Sequence, residues 1–141
     1  RAKNEGLIDS SRSIQLGIRS FSEDDYGFTV LTAPWIQEHG STQAISEIRR
    51  VVGEHKAYLT FDIDCLDPAF APGTGTPVAG GLTSSEAFAI FRAMVDFNII
   101  GMDIVEVAPA YDHAEITAIA AATLAHDFIC QLAIRKTAQH P

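Results

Sequence analysis

Cysteine is scarce in this chain. There are two among 141 residues, Cys65 and Cys130, far apart and with no CxxC. That excludes a zinc cluster or a disulfide framework by the usual spacings and points to a reducing compartment, the cytoplasm. Long apolar runs are also missing, so no membrane span is expected. The opening "RAKNEGLIDSSR" has no apolar centre and does not read as a signal peptide. Basic residues are few: 10 Lys and Arg stand against 18 Asp and Glu, for a net charge of −8. Such a balance argues against nucleic acid or an anionic membrane as partner. It suits a cationic ligand or metal ions, although acidity serves solubility as well. Repeats, low-complexity tracts and long linkers are absent. What remains is 47% hydrophobic and 20% charged, the composition of a soluble globular domain with a core. The first residue is Arg1 rather than methionine, and the expectation is that sequence lies upstream.

Local patterns suggest strands alternating with helices. "SIQLGIRS" (13–20) and "GFTVLTA" (27–33) are β-rich runs separated by the acidic turn "SEDDYG". Pro34 suits a first helical turn. Ser41 is a candidate N-cap for a helix carrying Ile45, Ile48, Val51 and Val52, which Gly53 ends. "KAYLTFDI" (56–63) reads as a strand buried on both faces. Thr83 and Glu86 form a capping box ahead of Ala87, Ile90, Phe91, Met94 and Val95. "IIGMDIVEV" (99–107) is another continuous apolar strand, and Glu115 to about Lys136 is an Ala-rich helix, apolar nearly all round and expected to be well covered. Apolar strands without polar alternation indicate a parallel sheet between helices, with ligands at the carboxyl ends of the strands.

Two such ends are unusual. "YLTFDIDCLDP" (58–68) runs from core residues into three aspartates. Alternation along a strand places Asp62 and Asp64 on one side, roughly 7 Å apart, with Ile63 opposite. Two partly desolvated carboxylates repel, so they must shift pKa, find a partner or recruit a cation. The nearest Lys or Arg on either side in sequence are Lys56 and Arg92, which leaves an oxygen-ligated cation as the economical explanation. Capping of a loop is the bland alternative, and for Asp67, immediately before Pro68, a turn role is favoured. A D-x-D strand end also fits haloacid dehalogenase-like phosphatases, but those continue with Gly-Thr, and here Cys65 and Leu66 follow. Glu106 ends the second strand.

"FDIDCLDPAFAPGTGTPVAGGLT" (61–83) and "GMDIVEVAPAYDHAEITAIAAATLA" (101–125) closely resemble the ureohydrolase family of arginase and agmatinase, the agmatinase branch most of all. The likeness starts at "EGLIDSSRSIQLGIRS" (5–20) and extends over nearly the whole chain. It implies an α/β fold, a three-layer α/β/α sandwich around a mainly parallel sheet, of which residues 1–141 would be the C-terminal part of one catalytic domain. It implies manganese-dependent hydrolysis of a guanidinium group, with two Mn2+ ions, releasing urea and, from agmatine, putrescine. By position, Asp62 resembles the carboxylate bridging the two metals and Asp64 a chelating ligand. Glu106 resembles the glutamate that pairs with the substrate guanidinium, and Thr76, in "GTGTP", lies in a loop lining the substrate pocket. The implied partner is a small cationic guanidino substrate, with no nucleic acid and no membrane, in a homo-oligomer, trimer or hexamer.

The chemistry is coherent. Guanidinium is a stable cation and a poor electrophile, so attack needs a strong nucleophile at neutral pH. Two metals about 3.5–4 Å apart lower the pKa of a bound water towards 7. Glu106 would orient the guanidinium by paired, charge-assisted hydrogen bonds. The chain departs from the family in lacking a histidine after Gly-Gly-Asp and an Asp-x-His-x-Asp cluster. Its histidines are His39, His55, His113, His126 and His140, with His113 and His126 reading as loop and helix residues. Two metal carboxylates are too few for a tight binuclear site, so a fragment without activity of its own is expected, with sheet edges left unpaired. Guanidinobutyrase, guanidinopropionase and a non-catalytic truncated paralogue are the alternatives.

Overall fold

The computed structural model describes residues 1–21 and 25–139. The acidic turn expected over 22–27 therefore lies partly outside the described residues, as does His140. Strand β1 (Ile14–Ile18) pairs in parallel with β2 (Thr29–Thr32), and β3 (Ala57–Asp62) pairs in parallel with β4 (Ile99–Val105). The parallel α/β character read from the sequence is present. Among the described residues it takes the form of two two-stranded pairs. The pairs meet where β1 approaches the turn after β3. Gly17 makes that possible: it sits at an irregularity in β1 with φ 81°, and a Cβ there would lie 3.2 Å from Cys65 Cβ.

Helix α1 (Ala33–Val52) begins earlier than Ser41. Thr32 caps it, its hydroxyl accepting the Trp35 amide at 3.2 Å, and Pro34 sits in the first turn as expected. Gly40 (φ 80°, ψ 165°) is non-helical and divides this span into two helices, so the helix read from Ser41 does start there, and what the sequence reading did not foresee is the first helix leading into it. Gly53 ends it with φ 60°. Helix α2 (Ser84–Arg92) carries the full capping box: Glu86 donates its amide to Thr83 Oγ1 at 3.1 Å, and Glu86 Oε2 accepts the Thr83 amide at 2.8 Å.

The core lies where α1 packs on β1, β2 and α2, and is built around Ile36, Ile48, Ile63, Leu66, Phe91 and Leu124. Two expectations of burial are corrected. β3 is not covered on both faces: its residues alternate, with Tyr58 and Thr60 exposed and Leu59 and Phe61 turned inward. Tyr58 instead lies across Gly101 on the neighbouring strand and donates to Asp103 Oδ2 at 3.2 Å. Helix α3 (Ile116–Gln139) is likewise covered on one stripe only, along Thr117, Ala120, Leu124 and Gln131. Ile119, Ile129 and Ile134 are exposed, because an apolar circumference says nothing about how many faces find neighbours. By length and composition α3 is also apolar enough to cross a bilayer, contrary to the reading that no segment is. Here it is tied to α2: Arg92 Nε donates to Asp127 Oδ2 at 2.6 Å, and buried Gln131 donates to the Phe91 carbonyl at 2.9 Å.

Candidate active site

The site is built on the ends of β3 and β4. After Asp62 the chain leaves the strand in a 3-10 turn, Ile63–Cys65, anchored by fully buried Ile63. Asp64 is therefore carried by this turn and not by strand alternation. Its amide donates to Asp62 Oδ1 at 3.2 Å, so one carboxylate organises the backbone that presents the other. Val105 is the register partner of Asp62, which sets Glu106 just beyond the end of β4 and beside the aspartates. Glu106 has φ 62°, a left-handed conformation that a non-glycine residue rarely adopts, and such strain concentrates at functional sites.

The loop between β3 and α2 closes over these groups. Thr76 Oγ1 donates to Asp64 Oδ2 at 3.0 Å, and a Cβ on Gly75 would lie 3.9 Å from Glu106 Oε2. Thr76 thus contacts a candidate ligand directly. The loop is pinned at both ends. The Gly73 carbonyl accepts the Ala108 amide at 2.8 Å, and the Gly73 amide donates to fully buried Thr117 Oγ1 at 2.7 Å. At the other end Asp67 accepts amides from Ala69 at 2.9 Å, Gly80 at 2.7 Å and Gly81 at 3.3 Å, the turn role expected of it.

A cleft of about 270 Å³ opens here, lined by Asp62, Asp64, Cys65, Thr76, Val78 and Arg19 among others. Burial pushes the Asp62 carboxyl above its ordinary range; the Asp64 amide opposes this, and the charges of Asp64 and Glu106 add to it. Burial, with the Asp62 and Asp64 charges, pushes the Cys65 thiol up to about 12. Among the described residues, no Lys or Arg forms an ion pair with Asp62, Asp64 or Glu106.

This donor set fits a divalent cation in part. Its carboxylate oxygens are hard donors, and burial makes their charge costly without a cation. It is not a full cage: no group of three or more His, Cys, Asp or Glu is arranged to hold a metal among the described residues. Among the described residues, no histidine lines the cleft. His113 precedes α3 in a loop, His126 is on α3, and His39 stacks on Trp35 at 4.3 Å.

Sequence reasoning missed Arg19. Its Nη2 donates to the Asp64 carbonyl at 2.7 Å across 45 positions of sequence, so distance along the chain hid a cation that lines the cleft. The only local signal was its position near the end of the β-rich run over 13–20.

A model of the arginase family matches residues 1–130. The agmatinase of Cronobacter sakazakii is 57% identical over 135 residues, covering 96% of this chain and 44% of that protein. A solved structure of a hypothetical agmatinase from Burkholderia thailandensis superposes with a TM-score of 0.93 at 58% identity, covering 96% of this chain and 43% of the other. Proclavaminate amidino hydrolase from Streptomyces clavuligerus superposes with a TM-score of 0.88 at 41% identity, covering 92% and 45%. The chain thus spans less than half the length of these relatives.

Proposed function

The chain belongs to the arginase family, and from that premise we propose that it forms part of a manganese-dependent ureohydrolase that converts agmatine to putrescine and urea. The observation that carries the reading is the convergence of Asp62, Asp64 and Glu106 at the ends of two adjacent strands, with no ion-pair partner among the described residues. The likeness to proteins named agmatinase supports the substrate.

In this reading Asp62 and Asp64 hold manganese, together with ligands from elsewhere in the protein. When bound, the metal supplies a water whose pKa is lowered towards neutrality. Asp62, whose carboxyl burial drives towards protonation, is the group whose ionisation a cation restores. Thr76 occupies Asp64 Oδ2 and thereby limits how that carboxylate turns. Glu106, with its backbone fixed in the left-handed region, accepts paired hydrogen bonds from the guanidinium and orients it towards the carboxylates. An acidic cleft favours a cationic tail. Arg19, the lining cation, has its donors on main-chain carbonyls and offers little to a carboxylate-tailed substrate. A homo-oligomer in the cytoplasm, trimer or hexamer, completes the proposal.

Urea release from agmatine and from 4-guanidinobutyrate, measured with manganese on the protein that carries this sequence, tests it. Turnover of agmatine well above the acid is expected. Preference for the acid would make it a guanidino-acid ureohydrolase. One observation favours a second reading, a non-catalytic paralogue: the donor set of the described residues is incomplete. Absence of turnover and of manganese binding would support it.

A further inference from the structure

The guanidinium of Arg19 is half-buried beside the acidic residues, yet none of its bonds goes to a carboxylate. Nε donates to the Val78 carbonyl at 2.9 Å, and Nη1 to the Gly17 carbonyl at 3.3 Å. Nη2 is shared among the carbonyls of Asp64 at 2.7 Å, Leu66 at 3.4 Å and Val78 at 2.5 Å. Three segments distant in sequence thus converge on one side chain: the end of β1, the turn carrying Asp64, and the loop carrying Thr76. Only a planar fork with donors in fixed directions reaches all of them, and a lysine ammonium cannot. The arrangement also separates two tasks of a cation. The charge of Arg19 acts on Cys65 and Asp67, while its donors, spent on carbonyls, claim no carboxylate oxygen.

We propose that Arg19 is a positioning residue: its guanidinium clamps the Asp64 turn and the Thr76–Val78 loop to β1, and so keeps Thr76 Oγ1 on Asp64 Oδ2. Its consequence for metal binding rests on the reading of Asp62 and Asp64 as ligands. Its consequence for loop order does not.

Hydrogen exchange of the metal-free protein reads the second directly. The reporters are the amides of Asp64, Leu66, Gly80 and Gly81, each hydrogen-bonded within the clamped segments. Arg19→Ala and the milder Arg19→Lys should each speed exchange there by about tenfold, the effect of losing a charge-assisted bond, and leave β3 and β4 unchanged. Millimolar ethylguanidinium should restore slow exchange in Arg19→Ala, and ethylammonium should not. Mn2+ affinity should fall by a similar factor in both variants. Unchanged exchange at the four amides would overturn the proposal, as would equal recovery with ethylammonium. Faster exchange throughout β3 and β4 in Arg19→Lys, or failure of that variant to fold, would also overturn it, since Arg19 would then support the whole fold. Should the unaltered protein bind no Mn2+ while the exchange pattern holds, the metal reading fails and the clamp stands.

Discussion

At Asp62, burial and two neighbouring negative charges act together against ionisation. A carboxyl whose folded pKa lies above its unfolded value contributes stability that is complete below the unfolded value and is lost as pH rises through the folded one. The metal-free protein should therefore lose stability on this account as pH rises from about 4 towards neutrality. Asp67 and Asp112 act in the opposite sense. Amides of Ala69 and Gly80 hold Asp67 below its ordinary value; at Asp112, burial pushes up but the Thr117 and Ala118 amides outweigh it. Their contribution is present above the ordinary carboxyl value and is lost as pH falls through the lowered one. Thermal unfolding against pH separates these signs. Asp62→Asn should remove the loss on the neutral side, raise the melting point of the metal-free protein and abolish Mn2+ binding. An unchanged pH slope in that variant would contradict the account. The placement of Asp62, Asp64 and Glu106 together, at and just beyond the ends of β3 and β4, was legible in the sequence because carboxylates are out of place at the ends of apolar strands. The left-handed backbone of Glu106 was not, since no local residue announces it, and neither was Arg19, whose partners are distant in sequence.

At the level of elements, local signals survived folding well. The capping box of α2 is present in full, and Thr83→Ala should cost about 1 kcal/mol in urea unfolding. Coverage was less legible. An Ala-rich helix with apolar residues on all sides offers no preferred face, so sequence could not say that α3 buries one stripe and leaves the rest exposed. The distinction is measurable. Leu124 is 0% exposed and Ile129 is 64% exposed. Leu124→Ala should cost about 2–5 kcal/mol, whereas Ile129→Ser should stay within about 0.5 kcal/mol. Comparable losses would mean that the outer face of α3 is covered in solution. The turn between β3 and α2 has its own test. A Cβ at Gly81 would lie 2.5 Å from the Asp67 amide nitrogen, so Gly81→Ala must displace backbone and should destabilise by about 1–3 kcal/mol.

Across the whole molecule, the parallel pairing of β3 with β4 brings Glu106 beside Asp62 and Asp64, and the two aspartates line the cleft against β1. The arginase-like α/β fold was readable because parallel strands, capping signals and two long motifs agreed with one another. The split into two strand pairs was not, because sheet continuity depends on long-range pairing rather than on pattern within a strand. The most direct measurement is urea release from agmatine alongside bound manganese, in the protein that carries this sequence and in its Asp62→Asn/Asp64→Asn double variant. The account predicts that the double variant loses both the metal and turnover. Full turnover with no detectable manganese in that variant would contradict it.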